Sequence, residues 1–141
     1  MPGPATHSAR VTNLRPMIAV RDLPATVRFY VEKLGFNCNA MFGNPPVWAE
    51  VERDGTSIMF NAPPRADVER DVPAKSRDYQ VYYFDVDGVV ALHAELKSRG
   101  VNVTNLRITS YQMKEFEVRD PDGCWLWFGQ PTDEPPTVCE E

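Results

Sequence analysis

Histidine is scarce in this 141-residue chain, with only His7 and His93 present, so one copy cannot assemble a His-rich metal site. Cysteine offers little more. Cys38, Cys124 and Cys139 are odd in number and so spaced that neither a zinc signature nor a disulfide framework results, and they read as reduced structural thiols. No run approaches the roughly 18 apolar residues that a spanning helix needs, and MPGPATHSAR lacks the apolar centre of a signal peptide. The expectation is a cytoplasmic protein with no membrane partner. A basic stripe is also missing, and the net charge is −5, which argues against a nucleic-acid partner and favours a cationic ligand. No Ser or Cys has a histidine base plausibly beside it, so triad chemistry has no support.

What is present is ordinary globular composition, 43% hydrophobic and 25% charged, in a length that suits one domain or two small modules. The stretch VRDPDGCWLWFGQP stands out. Asp120-Pro121-Asp122-Gly123 presets a turn, and residues 124–128 read as the strand that leaves it. Alternation places Trp125 and Trp127 on one face and Cys124, Leu126 and Phe128 on the other. Neither face is polar, so both need a cover.

Taken in order, residues 1–13 form an N-terminal tail and 15–20 a strand, with Pro16, Ile18 and Val20 opposite Arg15, Met17 and Ala19. A helix over 24–34 carries Val27, Tyr30, Val31 and Leu34 at helical spacing and ends at Gly35. Strands are expected at 36–42, 47–51 and 56–61, and a proline-bearing linker at 62–77. The pattern then restarts. A strand at 79–86 precedes a helix at 89–99, with Val89, Leu92 and Leu96 inward and Gly100 at its end, followed by strands at 101–106, 111–119 and 124–128. Residues 132–141 form an acidic tail.

The chain is therefore an α+β protein of two βαβββ modules, 14–61 and 78–131, in which Val20 matches Val86 and Gly55 matches Gly123. Each four-stranded sheet has one face covered by its own helix and one left bare, so the bare faces must meet each other or another chain. Curved sheets side by side enclose a cleft there.

Paired modules carrying IAVRDLPATVRFYVEKLGF and VRDPDGCWLWFGQP resemble the vicinal oxygen chelate superfamily of glyoxalase I, extradiol dioxygenases and fosfomycin- and bleomycin-resistance proteins, over residues 14–131. In its metal-dependent members, strands one and four of each module supply His, Gln or Glu ligands. Here the resemblance puts Arg15, Met59, Val81 and Trp127 at those four positions. Arginine is permanently cationic, valine has no donor, indole offers only an N–H, and a lone thioether is a soft ligand. A one-residue slip would bring Phe60, Gln80 and Phe128 forward, and one glutamine is still no site. The resemblance accordingly implies the metal-free bleomycin-resistance branch, whose members sequester a ligand between aromatic side chains, usually as homodimers with the pocket at the subunit boundary. Tyr111 takes the place of the stacking aromatic before the RDP turn, with Tyr111-Gln112 replacing the branch's Trp-Gly.

The resulting expectation is a small-molecule binder with no cofactor, lined by Arg15, Trp48, Met59, Val81, Tyr83, Tyr111, Trp125 and Trp127. Trp125 and Trp127 divide between core and cleft wall, and Trp48 between cleft wall and dimer contact. Arg15 either pairs with an inward Asp85 or takes an anion. Glu50 and Glu52, on the face of Trp48, are either solvated or draw a cationic guest. His93 reads as a half-exposed helix residue. Two enzymatic alternatives stand beside binding: a metal-dependent glyoxalase- or dioxygenase-like enzyme with ligands in another register, and a metal-free isomerase or hydrolase using Asp85, Glu50 or Tyr83.

Overall fold

The structure, a computed structural model, describes residues 8–62 and 80–137. Most of the expected linker, the first seven residues and the last four lie outside them. The first module runs β1 (Met17–Ala19), α1 (Leu23–Arg28), β2 (Asn37–Phe42), β3 (Trp48–Arg53) and β4 (Thr56–Asn61). The second runs β5 (Val81–Asp85), α2 (Val89–Ser98), β6 (Arg107–Ile108), β7 (Met113–Arg119) and β8 (Trp125–Pro131). Sheet orders are β1-β4-β3-β2 and β5-β8-β7-β6. In each, the first strand lies parallel to the last and the other pairs are antiparallel. The repeat is thus one topology used twice.

Local chemistry fixes the helices. Asp22 Oδ1 accepts from the Ala25 amide at 3.1 Å and opens α1, with proline in the first turn. Beyond Arg28 the chain widens into a π-wound turn, Phe29–Lys33, and stops at Gly35 in the left-handed region at φ +75. Gln130 caps α2 from the far end of β8, its Oε1 accepting from the Gly88 and Val89 amides at 3.0 and 2.8 Å. Each helix covers the convex face of its own sheet. Ile18, Val51, Ile58 and Phe60 lie under α1, and Phe116, Val118, Leu126 and Phe128 under α2, in one buried cluster that crosses both modules.

Polar bonds lock the seam between the modules. The buried Tyr30 hydroxyl donates to Asp120 Oδ2 at 2.8 Å, and Thr26 Oγ1 to Asp122 Oδ2 at 2.6 Å. Burial, and then Asp120, push the Tyr30 phenol well above its usual range, so it remains a donor. Arg53 grips Glu95 through two nitrogens, each at 2.9 Å, while Phe36 meets Phe84 edge-on across the same seam.

Several expected bounds shift. Residues 101–106 are not a strand: Val103 makes one bridge to Val118, and the backbone of Thr104 is shared between Glu117 and the His93 ring, so regular pairing starts only at β6. Gln112 adopts φ 62, which bends the chain and delays β7 to Met113. Residues 132–137 are tied back: the Thr137 amide donates to Ile108 O at 2.9 Å, and Lys114 pairs with Glu134 at 2.8 Å.

Tyr30→Phe removes one buried donor while Asp120 keeps the amides of Asp122 and Cys124; urea unfolding is expected to show a loss of about 1–2 kcal/mol at unchanged slope. Glu95 is held below its ordinary range chiefly by the hydrogen bond from Arg53. A carboxylate depressed in the folded state stabilises above its unfolded pKa and ceases to as pH falls through the folded value. The advantage of wild type over Glu95→Gln, under about 1 kcal/mol at pH 7 for so exposed a pair, is therefore expected to shrink below about pH 4.3.

Candidate functional site

Strand alternation leaves one face of each sheet without a helix. In the second module this concave face carries Val81, Tyr83 and Asp85 from β5, Trp125, Trp127 and Gly129 from β8, and Glu115 and Glu117 from β7. Tyr83 stands opposite Trp127, and Glu115 opposite Gly129. In the first module the corresponding row is Met17, Met59 and Glu50, with Trp48 opposite Asn61. The two tryptophans of β8 are half-buried on this face, and Leu126 and Phe128 are buried beneath α2. Phe60 is fully buried in the core, on the face opposite Met59.

At the centre is Glu115, whose side chain is fully buried although it is a carboxylate. It accepts from the Tyr83 hydroxyl at 2.8 Å and from the Tyr111 hydroxyl at 3.0 and 3.1 Å. Arg107 adds Nη2 at 3.3 Å and also holds Glu117 at 2.8 Å. A buried carboxylate surrounded by donors is tolerable where an unpaired one is not. Burial first, and then the bond to Glu115, raise both phenols above their ordinary pKa, so both are donors at neutral pH and neither serves as a base. Tyr83 reaches Glu115 by crossing β8 directly over Gly129, where a Cβ would collide with its hydroxyl.

Cations sit on the indoles. The Arg119 guanidinium lies 4.9 Å from the Trp125 ring centre and that of Arg107 lies 5.4 Å from Trp127. Tyr83 meets Trp127 edge-on at 6.5 Å. Buried Trp127 Nε1 and Arg107 Nε have no hydrogen-bond partner among the described residues.

Arg15 does not pair with Asp85. It bonds Glu50 at 2.7 Å, across its own sheet, and Asp85 is exposed rather than buried. Trp48 is half-buried beside Glu50 and Glu52. Met59 is half-buried between Met17 and Glu50, whereas Val81 and Tyr111 are 44% and 60% exposed. Tyr83, Tyr111 and Trp127 converge on one cluster; Trp125 lies one step along the same face, and Arg15, Trp48 and Met59 lie on the other sheet. His93 is a structural residue, its Nε2 2.9 Å from Thr104 O and its ring edge-on to Phe116.

The sequence reading missed Glu115, Arg107 and Gly129. In KEFEVR the parity of Glu115 and Glu117 opposite Phe116 and Val118 was readable. Their partners were not, because they come from β5, β6 and the turn before β7.

A divalent ion does not fit this donor set. Arg15 is bound to Glu50, Met59 offers a thioether, Val81 offers nothing, Trp127 is a donor, and the oxygens of Glu115 already accept from three side chains. Among the described residues no three His, Cys, Asp or Glu side chains gather to hold a metal, and no helix is long and apolar enough to cross a membrane.

A profile of the Glyoxalase/Bleomycin resistance protein/Dioxygenase superfamily matches residues 11–128, and the chain belongs to that family. No curated protein matches. Among solved structures it is similar to TnmS3, an antibiotic binding protein from Streptomyces, at 26% identity and TM-score 0.69, over 89% of this chain and 100% of that one. A bleomycin-binding protein complexed with bleomycin superposes at TM-score 0.69 with 18% identity, over 86% and 100%. A glyoxalase-related enzyme from Clostridium phytofermentans does so at 0.69 with 15%, over 90% and 100%. The two at lower identity speak for the fold.

Gly129→Ala is expected to push Tyr83 off Glu115, with near-UV circular dichroism changing as in Tyr83→Phe and a stability loss of about 1–3 kcal/mol. An unchanged spectrum would mean that the hydroxyl does not cross β8 at this point.

Proposed function

We propose that the chain is a metal-free small-molecule-binding protein of the bleomycin-resistance type, which sequesters an aromatic or planar ligand in the aromatic cleft of the concave faces. One observation carries this reading: Trp127, Trp125, Tyr83 and Tyr111 gather on a sheet face that no helix of the described chain covers, around polar groups already bonded to one another. Such a face offers rings for stacking and few free groups for chemistry. The likeness to TnmS3, an antibiotic binding protein, supports it. The net charge of −5 favours a cationic guest.

The protein acts, on this reading, as a cytoplasmic homodimer. Met17, Phe42, Val81 and Tyr83 are 56%, 70%, 44% and 40% exposed in one chain, and a second copy closing over them supports a cleft at the subunit boundary. Resistance by sequestration is the matching role, with no turnover of the guest.

Bleomycin serves as the probe. Quenching of indole fluorescence is expected to give the same affinity with and without EDTA, and Trp127→Ala to weaken it about tenfold or more. Full affinity in that variant would remove the site assignment. Stoichiometric Mn, Fe, Ni or Zn in protein purified without an affinity tag would favour the metal-dependent enzyme instead.

A further inference from the structure

A second hollow lies away from the concave faces, on the seam between the modules, with a volume of about 500 Å³. Phe36, Phe84, Leu92 and Phe128 form its apolar floor, and Asp54, Asp87 and the Arg53–Glu95 pair its rim. The size falls within the roughly 300–1,000 Å³ of small-molecule sites.

Its origin is an asymmetry in the repeat. Counting from Val20 and Val86, Thr26 corresponds to Leu92 and Tyr30 to Leu96; counting from Gly55 and Gly123, Asp54 corresponds to Asp122. In the second module the β7–β8 turn fills the space beside α1, because Asp120 takes the Tyr30 hydroxyl and Asp122 takes the Thr26 hydroxyl and the Arg21 amide. The hollow left at that place is about 350 Å³. In the first module the β3–β4 turn finds leucines at the matching points of α2, with no hydroxyl to hold. Arg53 swings to Glu95 and to Leu34 O at 2.7 Å and keeps a long 3.4 Å bond to Asp54, whose side chain is 90% exposed.

Charge selects the occupant. Among the lining residues Arg53 faces four carboxylates, Asp54, Asp85, Asp87 and Glu95, and Glu95 is shared with Arg99 at 3.2 Å. Asp54 and Asp87 remain beside an apolar floor. The Gly88 and Val89 amides that open α2 donate to Gln130.

We propose that this seam cavity binds a small organic cation with an apolar body, such as an aryl-alkylammonium. Its hydrocarbon rests on Phe84, Leu92 and Phe128, and its ammonium lies between Asp54 and Asp87. The site bridges the two modules, and of the concave-face residues named above Asp85 alone lines it.

The test uses the full chain labelled with ¹⁵N and titrated with phenethylammonium, with 2-phenylethanol as the neutral counterpart. Saturable amide shifts are expected at Asp54, Gly88, Ala91 and Glu95, with the indole signals of Trp125 and Trp127 still. Asp87→Asn is expected to weaken binding about threefold to fivefold, as for an exposed ion pair, and Ala91→Trp to abolish it by filling the hollow. Equal binding of the alcohol overturns the commitment to a cation. Shifts confined to the concave indoles, or none that saturate, overturn the site.

Discussion

A four-stranded sheet with apolar side chains on both faces needs two covers, and each module of this chain brings one helix. The helices go to the convex faces, where Ile18, Phe60, Phe116 and Leu126 are buried. The seam then joins the modules by way of the helices and turns, through Tyr30–Asp120, Thr26–Asp122 and Arg53–Glu95. With convex faces and helices occupied in this way, the concave faces keep Met17, Val81, Tyr83 and Tyr111 at the surface. The site is a consequence of that unfilled requirement.

Whatever depended on periodicity could be read from the sequence. Two-residue alternation separated Trp125 and Trp127 from Leu126 and Phe128, and it held because β8 is a continuous strand flanked on both sides by paired strands. The glycines at 35 and 100 marked helix ends because the chain there turns through positive φ. Contacts set by tertiary reach were not legible. Arg15 and Asp85 looked like partners because each was an inward charge, yet Glu50 is on the same sheet as Arg15 and wins on distance. Residues 101–106 have a strand's composition, but the carbonyl of Thr104 meets the ring of His93 and the segment is left with one bridge.

Glu115 shows how a carboxylate can be kept inside an aromatic face. Its desolvation is offset by two phenols and a guanidinium, and the arrangement needs a missing side chain at Gly129 to let Tyr83 across. The same bonds fix the rings: Tyr83 is held edge-on to Trp127, and Arg107 is held over the indole. Rings locked before a guest arrives lose little entropy on stacking. Pre-organisation of this kind raises affinity without supplying a base, since both phenols are kept protonated.

The two concave faces occupy one lattice with different chemistry. By register, Met17, Met59 and Glu50 stand where the other sheet has Tyr83, Trp127 and Glu117, and the Trp48–Asn61 pair stands where it has Glu115–Gly129. Methionine is adaptable and polarisable, and packs well on the edges of aromatic rings. A face of methionines set against a face of rigid rings makes a better clamp for a flat guest than either face doubled, because one side conforms while the other orients. In the two-fold dimer proposed above each patch recurs on both copies, so one interface would bring the soft face of one chain to the aromatic face of its partner twice over.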